Sequence, residues 1–506
     1  MRRLITTLLI TFAVLMPLLA RPGFASTPKP MSTKIASTLL PNRSPLVTFR
    51  IIFMTGAASD PAGKEGVAAL TAALIAQGGT RTMSYEQIVE AMYPMATSFD
   101  SQIDKEMTVF TGTTHADNLD KYYGLISPML LDPGFRADDF ARLKSDAINY
   151  LKVSLRQSND EELGKEYLYN VIYNGHPYGH HNTGTISSLE KLTLDDLRAF
   201  YKANYTQANM VLGLAGGYPK ELPAKVEADF AKLEIGQQSK AKYETPKLTP
   251  GLHISIVKRE TRATALSLGF PINVTRADKD WPALAVVASW FGQHRSSNSY
   301  LYQQLREARG LNYGDYAYIE YFPRGMFQFT PDPNQGRTSQ IFQIWIRPVV
   351  PENGHFVLRA ALYEYDKLLR DGMSQAALES TRDFLIKNVN LLTATQDTQL
   401  GYAVDSRYYK IPDFNSYMRE RLSKLTLADV NNAIQHYLKS DRMRVVIVTR
   451  DADRLRDAII KNTASPIKYN APRPPELLEE DKVIQVYKID VKPEDVVVVP
   501  IGKVFQ

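Results

Sequence analysis

The sequence predicts an α+β protein made of two homologous α/β domains, each a β-sheet with helices packed on one face. Segments that alternate like strands are separated by longer segments with apolar residues at helical spacing. The stretch KLTLDDLRAFYKANY, which begins at Lys191, recurs as KLTLADVNNAIQHYL, which begins at Lys424. Each leads into an apolar strand, MVLGLAG from Met210 and MRVVIVT from Met443. Both pairs lie 233 residues apart, which favours duplication of a unit of about 220 residues over a coincidence between two common helix starts.

The first domain is assigned to residues 26–240. PLVTFRIIFMTG (45–56) and MTVFTGTTH (107–115) alternate like strands, and DDFARLKSDAINYLKVSLRQ (138–157) has apolar residues at helical spacing. EGVAALTAALIAQGGT (65–80) predicts a helix rich in Ala and Leu that ends at Gly-Gly-Thr. The helix follows a turn rich in Gly, Asp and Pro at 54–66. It carries no side chain suited to catalysis or metal binding.

The second domain is assigned to residues 252–464, after the polar linker IGQQSKAKYETPKLTPG (235–251), which contains two prolines. Within it, SYLYQQLREARG (299–310) predicts a helix that ends at its final glycine. The remaining residues, 465–506, form a tail that begins Pro-rich and ends in a short apolar strand. We interpret the tail as a strap packed on the body, with a partner-docking arm as the alternative.

The composition excludes several classes of protein. The chain has 506 residues and no cysteine, which excludes disulfides, cysteine-ligated zinc, iron–sulfur clusters and a thiol nucleophile. The formal net charge of +6 is spread along the chain without a long basic run. No nucleic-acid-binding motif is present, so we expect no nucleic-acid partner.

The first 25 residues are typical of a secretory signal peptide. Arg2 and Arg3 precede an apolar run at 4–20, and the small residues of GFA (23–25) suit cleavage. The alternative is a retained anchor helix, but the run is short and contains Pro17. We therefore expect an exported protein of a bacterial periplasm, with no stable membrane insertion after cleavage.

Four segments in the same order carry a resemblance to a known family: GAASDPAGKEGVAAL (56–70), GHPYG (175–179), KLTLDDLRAFYKANY (191–205) and SSNSYLYQQLREARGLNY (296–313). Together they resemble the insulinase/pitrilysin family of zinc metallopeptidases, the inverzincins, over roughly residues 35–465. The resemblance implies that each domain has a mostly antiparallel sheet and that the chain forms half of a clamshell.

The zinc-binding motif of that family is missing. Catalytic members carry H-x-x-E-H on the opening helix, with two His ligands, a Glu base and a further Glu ligand in a later helix. The motif falls on Ala69-Leu70-Thr71-Ala72-Ala73, and the later Glu falls on Tyr150. The resemblance thus predicts that this chain binds no metal and that the opening helix serves only packing.

Two groups of polar residues are weak substitutes for that metal site. The histidines of HPYGHH, His176, His180 and His181, lie in a Pro/Gly turn. They are expected to be solvent-exposed, with adventitious metal binding as the alternative. The acidic residues Glu161, Glu162 and Glu166 are expected to begin a solvated helix.

The segment LREARGLNY (305–313) matches the family's substrate-positioning pair. The resemblance assigns Arg306 to a substrate carbonyl or carboxylate and Tyr313 to the oxyanion. The alternative is that Arg306 pairs with a neighbouring acid and Tyr313 simply begins a strand. Glu307 and Arg309 are expected to be ordinary surface partners.

A second substrate-binding candidate is MATSFDSQI (95–103), which matches the edge strand that accepts peptide backbone in the family. Its candidate residues are Ser98, Phe99 and Asp100. The family often has Gly at one of the first two positions, so an ordinary sheet strand remains the alternative.

These observations favour a non-catalytic subunit of an exported zinc metallopeptidase. Its homologous partner would supply zinc, and Arg306 and Tyr313 would act on the peptide substrate in trans. Two alternatives stay open: a peptide-binding or scaffold protein of the cell envelope without a peptidase role, and a stand-alone enzyme with substitute ligands.

Overall fold

The computed structural model describes residues 35–239, 243–325, 328 and 330–506. The predicted signal peptide lies outside these residues. These described residues form one compact unit. No helix within the described ranges is both long enough and apolar enough to cross a membrane.

The first half, residues 35–239, is built around a five-stranded sheet. Its strand order is β1-β5-β2-β4-β3, and all pairings are antiparallel except that of β1 with β5. The elements are β1 Ala36–Pro41, β2 Leu46–Phe53, α1 Val67–Gln77, α2 Tyr85–Met92, β3 Asp100–Ile103, β4 Thr108–His115, α3 Leu119–Leu131, α4 Ala137–Asn149, a π-helical turn Tyr150–Leu155, α5 Arg156–Ser158, α6 Asp160–Ile172, α7 Ile186–Lys191, α8 Leu194–Asn204, β5 Met210–Gly216 and α9 Leu222–Phe230.

The second half, residues 243–506, has a six-stranded sheet of order β11-β6-β10-β7-β9-β8. Its elements are β6 His253–Lys258, β7 Thr264–Ile272, α10 Trp281–Gly292, a π-helical turn Tyr302–Glu307, β8 Gly314–Tyr318, β9 Gln340–Val349, α11 Gly354–Asp371, α12 Gln375–Leu392, α13 Gln396–Tyr409, α14 Phe414–Lys424, α15 Leu427–Tyr437, β10 Arg444–Thr449, α16 Ala452–Ile460, α17 Pro475–Ile484 and β11 Val496–Pro500.

The two sheets share one topology, as the internal repeat predicts. In the first, β5 lies between a parallel β1 and an antiparallel β2; in the second, β10 lies between a parallel β6 and an antiparallel β7. The repeated helices α8 and α15 begin with matching capping boxes at Thr193 and Thr426, where each hydroxyl accepts a backbone N–H bond and an Asp side chain bonds back. The predicted fold class, two homologous α/β halves with mostly antiparallel sheets, is confirmed.

Each sheet is also covered on its second face by a helix from the other half. Helix α6 packs against β7 and β10, and α13 packs against β5 and β1. Along β10 the side chains alternate: Val445 and Ile447 join the core of the second half, whereas Val446 and Val448 join the core that contains α6. Burial of both faces explains why β10 reads as a continuous apolar run.

The tail packs on both halves as a strap. Helix α17 lies against α11, and β11 extends the second sheet by pairing in parallel with β6. Val504 and Phe505 are buried in the core of the first half. The Phe505 carbonyl accepts a 3.0 Å hydrogen bond from the Ile186 N–H, and Arg156 Nε donates to the Val504 carbonyl at 2.6 Å.

Candidate functional site

The start of α1 is fixed by the turn before it. Asp60 accepts hydrogen bonds from the N–H groups of Gly66 and Ala68 at 2.6 and 2.9 Å, which satisfies donors that the helix leaves free. Gly66 has φ +101°, and a Cβ there would lie 2.4 Å from the Thr183 carbonyl oxygen. The turn therefore holds α1 in a definite place, although no reactive side chain follows.

The positions matched to the family's metal ligands do not fit zinc. Ala69 and Ala73 are half-buried on α1, Ala72 is buried, and none of them has a ligand atom. Tyr150, where the π-helical turn begins, is half-buried; burial and the nearby carboxylate of Glu166 raise the pKa of its phenol. A protonated phenol is a poor ligand. The described residues contain no group of three or more His, Asp or Glu side chains that could hold a metal ion.

The histidine turn is not solvent-exposed, contrary to the expectation: His176 and His180 are half-buried and His181 is buried. His180 Nε2 lies 3.1 Å from Asp60 Oδ2, and the His180 side chain is only 14% exposed. His181 is buried between the rings of Tyr150 and Phe505, with centroid distances of 5.7 and 5.4 Å. Burial lowers the pKa of His181 to about 3. These imidazoles pack the histidine turn against the turn before α1, the π-helical turn and the tail.

The acidic residues at the start of α6 are buried, contrary to the predicted solvated helix start. Glu161 forms an ion pair with Arg347 of β9. The hydroxyl of Tyr321 lies 3.2 Å from Glu166 Oε1. Burial raises the pKa of Glu166 to about 7. The prediction failed because α6 packs on the sheet of the other half, a contact that the local sequence does not reveal.

Arg306 and Tyr313 are brought together. The Arg306 guanidinium carbon lies 4.6 Å from the centroid of the Tyr313 ring, and Tyr313 is 62% exposed. Arg306 lies on the π-helical turn Tyr302–Glu307, a helical irregularity frequent at functional sites. It forms no ion pair with any described residue, unlike Arg309 three residues later. This geometry disfavours the alternative in which Arg306 pairs with a neighbouring acid.

Tyr302 is a third member of this group that the sequence analysis missed. Its ring centroid lies 4.7 Å from the Arg306 guanidinium carbon, and its hydroxyl accepts a hydrogen bond from Arg306 Nη1. The sequence could have indicated this contact, because Tyr302 and Arg306 are four residues apart and such a pair lies on one face of a helix.

Arg309 is not an ordinary surface residue. It is 2% exposed, donates to Asp481 Oδ1 at 2.8 Å and to Glu480 Oε2 at 2.6 Å, and reaches back to the Gln304 carbonyl at 2.8 Å. Glu480 and Asp481 belong to α17, so the strap holds the turn that carries Arg306. The acidic partners of Arg309 lie over 170 residues away in the chain, so the local sequence does not indicate these ion pairs.

The predicted substrate strand lies at a sheet edge. Asp100 begins β3, which pairs with β4 on one side only. Phe99 is buried against Phe110, with a ring-centroid distance of 5.8 Å, so its side chain is not available to a ligand. Ser98 donates its hydroxyl to Asp100 Oδ2 at 2.8 Å. The substrate role of Ser98, Phe99 and Asp100 stays a prediction.

The protein thus consists of two halves of one topology, and the positions matched to the family's metal ligands and base hold alanine and tyrosine. The family profile described as "Insulinase (Peptidase family M16)" matches residues 38–186, and that described as "Peptidase M16 inactive domain" matches residues 191–385. The chain belongs to the insulinase (M16) peptidase family.

Curated relatives are named as zinc proteases. An uncharacterized zinc protease of Rickettsia bellii is 27% identical over 412 residues, which cover 79% of this chain and 92% of the relative. An uncharacterized zinc protease of Mycobacterium tuberculosis (strain H37Rv) is 24% identical over 366 residues, covering 71% of this chain and 78% of the relative.

Solved structures share the fold. The peptidase M16 inactive domain from Pseudomonas fluorescens is similar with a TM-score of 0.71 and 24% identity, covering 82% of this chain and 95% of that one. The periplasmic protease PqqL from Escherichia coli is similar with a TM-score of 0.64 and 14% identity, covering 90% of this chain and 49% of that one.

Proposed function

We propose that this chain is the non-catalytic subunit of an exported zinc metallopeptidase, acting on peptides together with a homologous zinc-bearing subunit. One observation carries the proposal: Arg306 and Tyr313 lie side by side, accessible and free of ion pairs with the described residues, while the metal positions hold Ala69, Ala72, Ala73 and Tyr150. The pair that would position a peptide is thus present, whereas the residues that would hold a metal are not.

The two side chains suit different tasks on a peptide bond. The Arg306 guanidinium donates to a carbonyl or carboxylate of the bound peptide and fixes its position. The Tyr313 hydroxyl donates to an oxygen on which negative charge develops. Neither residue ligates a metal, and the zinc and the base would belong to the partner.

The periplasm is the proposed location. The N-terminal segment is typical of a signal peptide, and the chain shares its fold with a periplasmic protease of Escherichia coli. The absence of cysteine suits either redox compartment.

The test is purification of the tagged full-length chain from its native host, with mass spectrometry of co-purifying proteins. We expect a homologue with intact H-x-x-E-H, zinc in the complex, and peptide cleavage by the complex but not by this chain alone. Cleavage by the isolated chain with about one zinc per chain would overturn the proposal in favour of a stand-alone enzyme. A chain that binds peptides but recruits no such homologue would instead be a binding protein of the envelope.

A further inference from the structure

The turn that follows α6 contains one of the two Asn-Gly pairs of the sequence, Asn174-Gly175. The His176 N–H donates to the Tyr173 carbonyl at 2.9 Å, and Gly175 has φ +75°, as in a type II β-turn. Asn174 and Gly175 are both exposed, and a Cβ on Gly175 would meet no heavy atom within 4 Å. Open space therefore surrounds this backbone on the protein surface.

The two groups that could react with each other in this turn are free. Neither the Gly175 N–H nor the Asn174 side-chain amide forms a hydrogen bond with any of the described residues. Glycine has no Cβ, so the backbone nitrogen that follows Asn174 is unhindered and the local dihedral angles can change at little cost. The Asn174 amide carbon is thus open to attack by the next backbone nitrogen.

We propose that Asn174 is a site of spontaneous deamidation. The Gly175 nitrogen bonds to Cγ of Asn174 and closes a succinimide ring, while the C–N bond of the side-chain amide breaks and ammonia leaves with the proton from the backbone N–H. Water then opens the ring at either carbonyl. One opening gives aspartate, and the other gives isoaspartate, in which the main chain runs through the former side chain. Water is the only co-reactant.

The other Asn-Gly pair, Asn353-Gly354, is a matched control within the same chain, since each pair is followed by a histidine. Gly354 is buried at the start of α11, has a helical φ of −55° and donates its N–H to the Pro351 carbonyl. Ring closure there requires the start of the helix to open and this hydrogen bond to break. We therefore expect Asn353 to react about tenfold more slowly than Asn174, or slower still.

Deamidation should weaken the contact between this turn and the linker. His176 Nε2 lies 3.0 Å from the Glu244 carbonyl oxygen, and the His176 ring centroid lies 6.0 Å from that of Tyr243. Aspartate at position 174 adds a negative charge two residues from His176. Isoaspartate also lengthens the main chain by one carbon, which is incompatible with the hydrogen bond that closes the turn.

The experiment is incubation of the folded full-length chain in warm, mildly alkaline buffer, with peptide mapping by mass spectrometry over time. The Asn174 peptide should gain one mass unit, because NH₂ becomes OH, and should separate into aspartyl and isoaspartyl products. The Asn353 peptide should change about tenfold more slowly or not at all. Asn174→Gln should abolish the change at this position, because its longer side chain would have to close a larger ring.

A parallel incubation in urea tests whether the fold causes the contrast. Unfolding should bring the rates at Asn174 and Asn353 close together. An unchanged Asn174, an aspartyl product without isoaspartate, or equal rates at the two sites in the folded chain would overturn the proposal, as would a difference that persists in urea. Trypsin should cut the linker faster in the incubated wild type than in incubated Asn174→Gln, and equal rates would overturn the effect on the linker.

Discussion

Arg337 and Asp104, 233 residues apart in the chain, form a two-pronged ion pair that is almost completely buried. Arg337 Nε lies 2.8 Å from Asp104 Oδ2, and the side chains are 2% and 1% exposed. Asp104 lies between β3 and β4, whereas Arg337 precedes β9. The Arg337 guanidinium also lies over the Tyr321 ring, 3.5 Å from its centroid. The pair therefore joins the two halves at a place from which water is excluded.

Removing one partner of this pair should destabilise the protein strongly. Asp104→Asn leaves a buried cation without its anion, and breaking a buried pair in this way typically costs about 3–5 kcal/mol. Urea unfolding monitored by circular dichroism measures the change. Glu420→Gln is the control, since its pair with Lys424 is exposed to solvent and should contribute little to stability. Equal effects of the two variants would show that the buried pair does not hold the halves together.

The purified chain should hold no stoichiometric zinc, because Ala69, Ala72 and Ala73 offer no ligand atom. Elemental analysis should find far less than one zinc per chain, and a chelator should leave the melting temperature unchanged. If trace zinc is found, replacing His180 or His181 with Asn tests whether that zinc binds at the histidine turn. A melting temperature that falls with chelator and recovers with zinc would contradict this expectation.

Tyr313→Phe should slow peptide cleavage by the complex with its partner by about 10²–10³-fold in kcat, because it removes one donor to a developing negative charge. Arg306→Ala should also raise KM, since it removes an anchor that binds the peptide before the transition state. Size-exclusion chromatography checks assembly of both variants. Variants that assemble normally and cleave at the wild-type rate would rule out a role in trans.

The buried His181 should make the protein sensitive to acid. Its pKa is about 3 in the fold and 6.5 in the reference state, so the unfolded chain binds the extra proton between these values. The free energy of unfolding should therefore fall as the pH drops below 6.5, by at most about 1.4 kcal/mol per pH unit, while His181 has no such effect above pH 6.5.

The wild-type protein is compared with His181→Asn. Glu166, whose pKa is raised to about 7, is present in both proteins and contributes with the opposite sign between pH 4.5 and 7. Its Oε2 lies 3.7 Å from His181 Nε2, so the comparison reports on the two groups together. Urea unfolding at pH 7, 6, 5 and 4 should show the wild type losing stability relative to the variant. If the free energy of unfolding changed with pH in the same way in both proteins, folding would not lower the pKa of His181.

The repeat and the periodic segments predicted the architecture, because local patterns encode strands and caps. The match of Thr193 with Thr426 located equivalent helices in both halves. Strands β2 and β4 lie where alternation placed them, and β5 and β10 follow the repeated helices as predicted. Burial of charge was not predictable in this way. Glu161 and Arg309 read as surface residues, yet their partners, Arg347 and Asp481, are more than 170 residues away.

The candidate site was predictable only in part. Arg306 and Tyr313 were found through family resemblance, and the structure brings them together. Tyr302 was missed because a tyrosine in an amphipathic helix usually packs into a core, and nothing in the sequence shows which way its hydroxyl points.

Helix α6 of the first half covers the second sheet, and helix α13 of the second half covers the first. The two halves thus exchange helices, as subunits do in a domain-swapped dimer. The linker joins two copies of one fold, but each copy alone would leave an apolar sheet face uncovered, so neither is a portable module. The same contacts are available between two chains. If the α6 of one molecule covered the second sheet of another, the product would be an intertwined dimer with every native contact preserved. A gene fragment cut at the linker should therefore yield self-associating pieces, and mixing the two fragments should restore the native assembly.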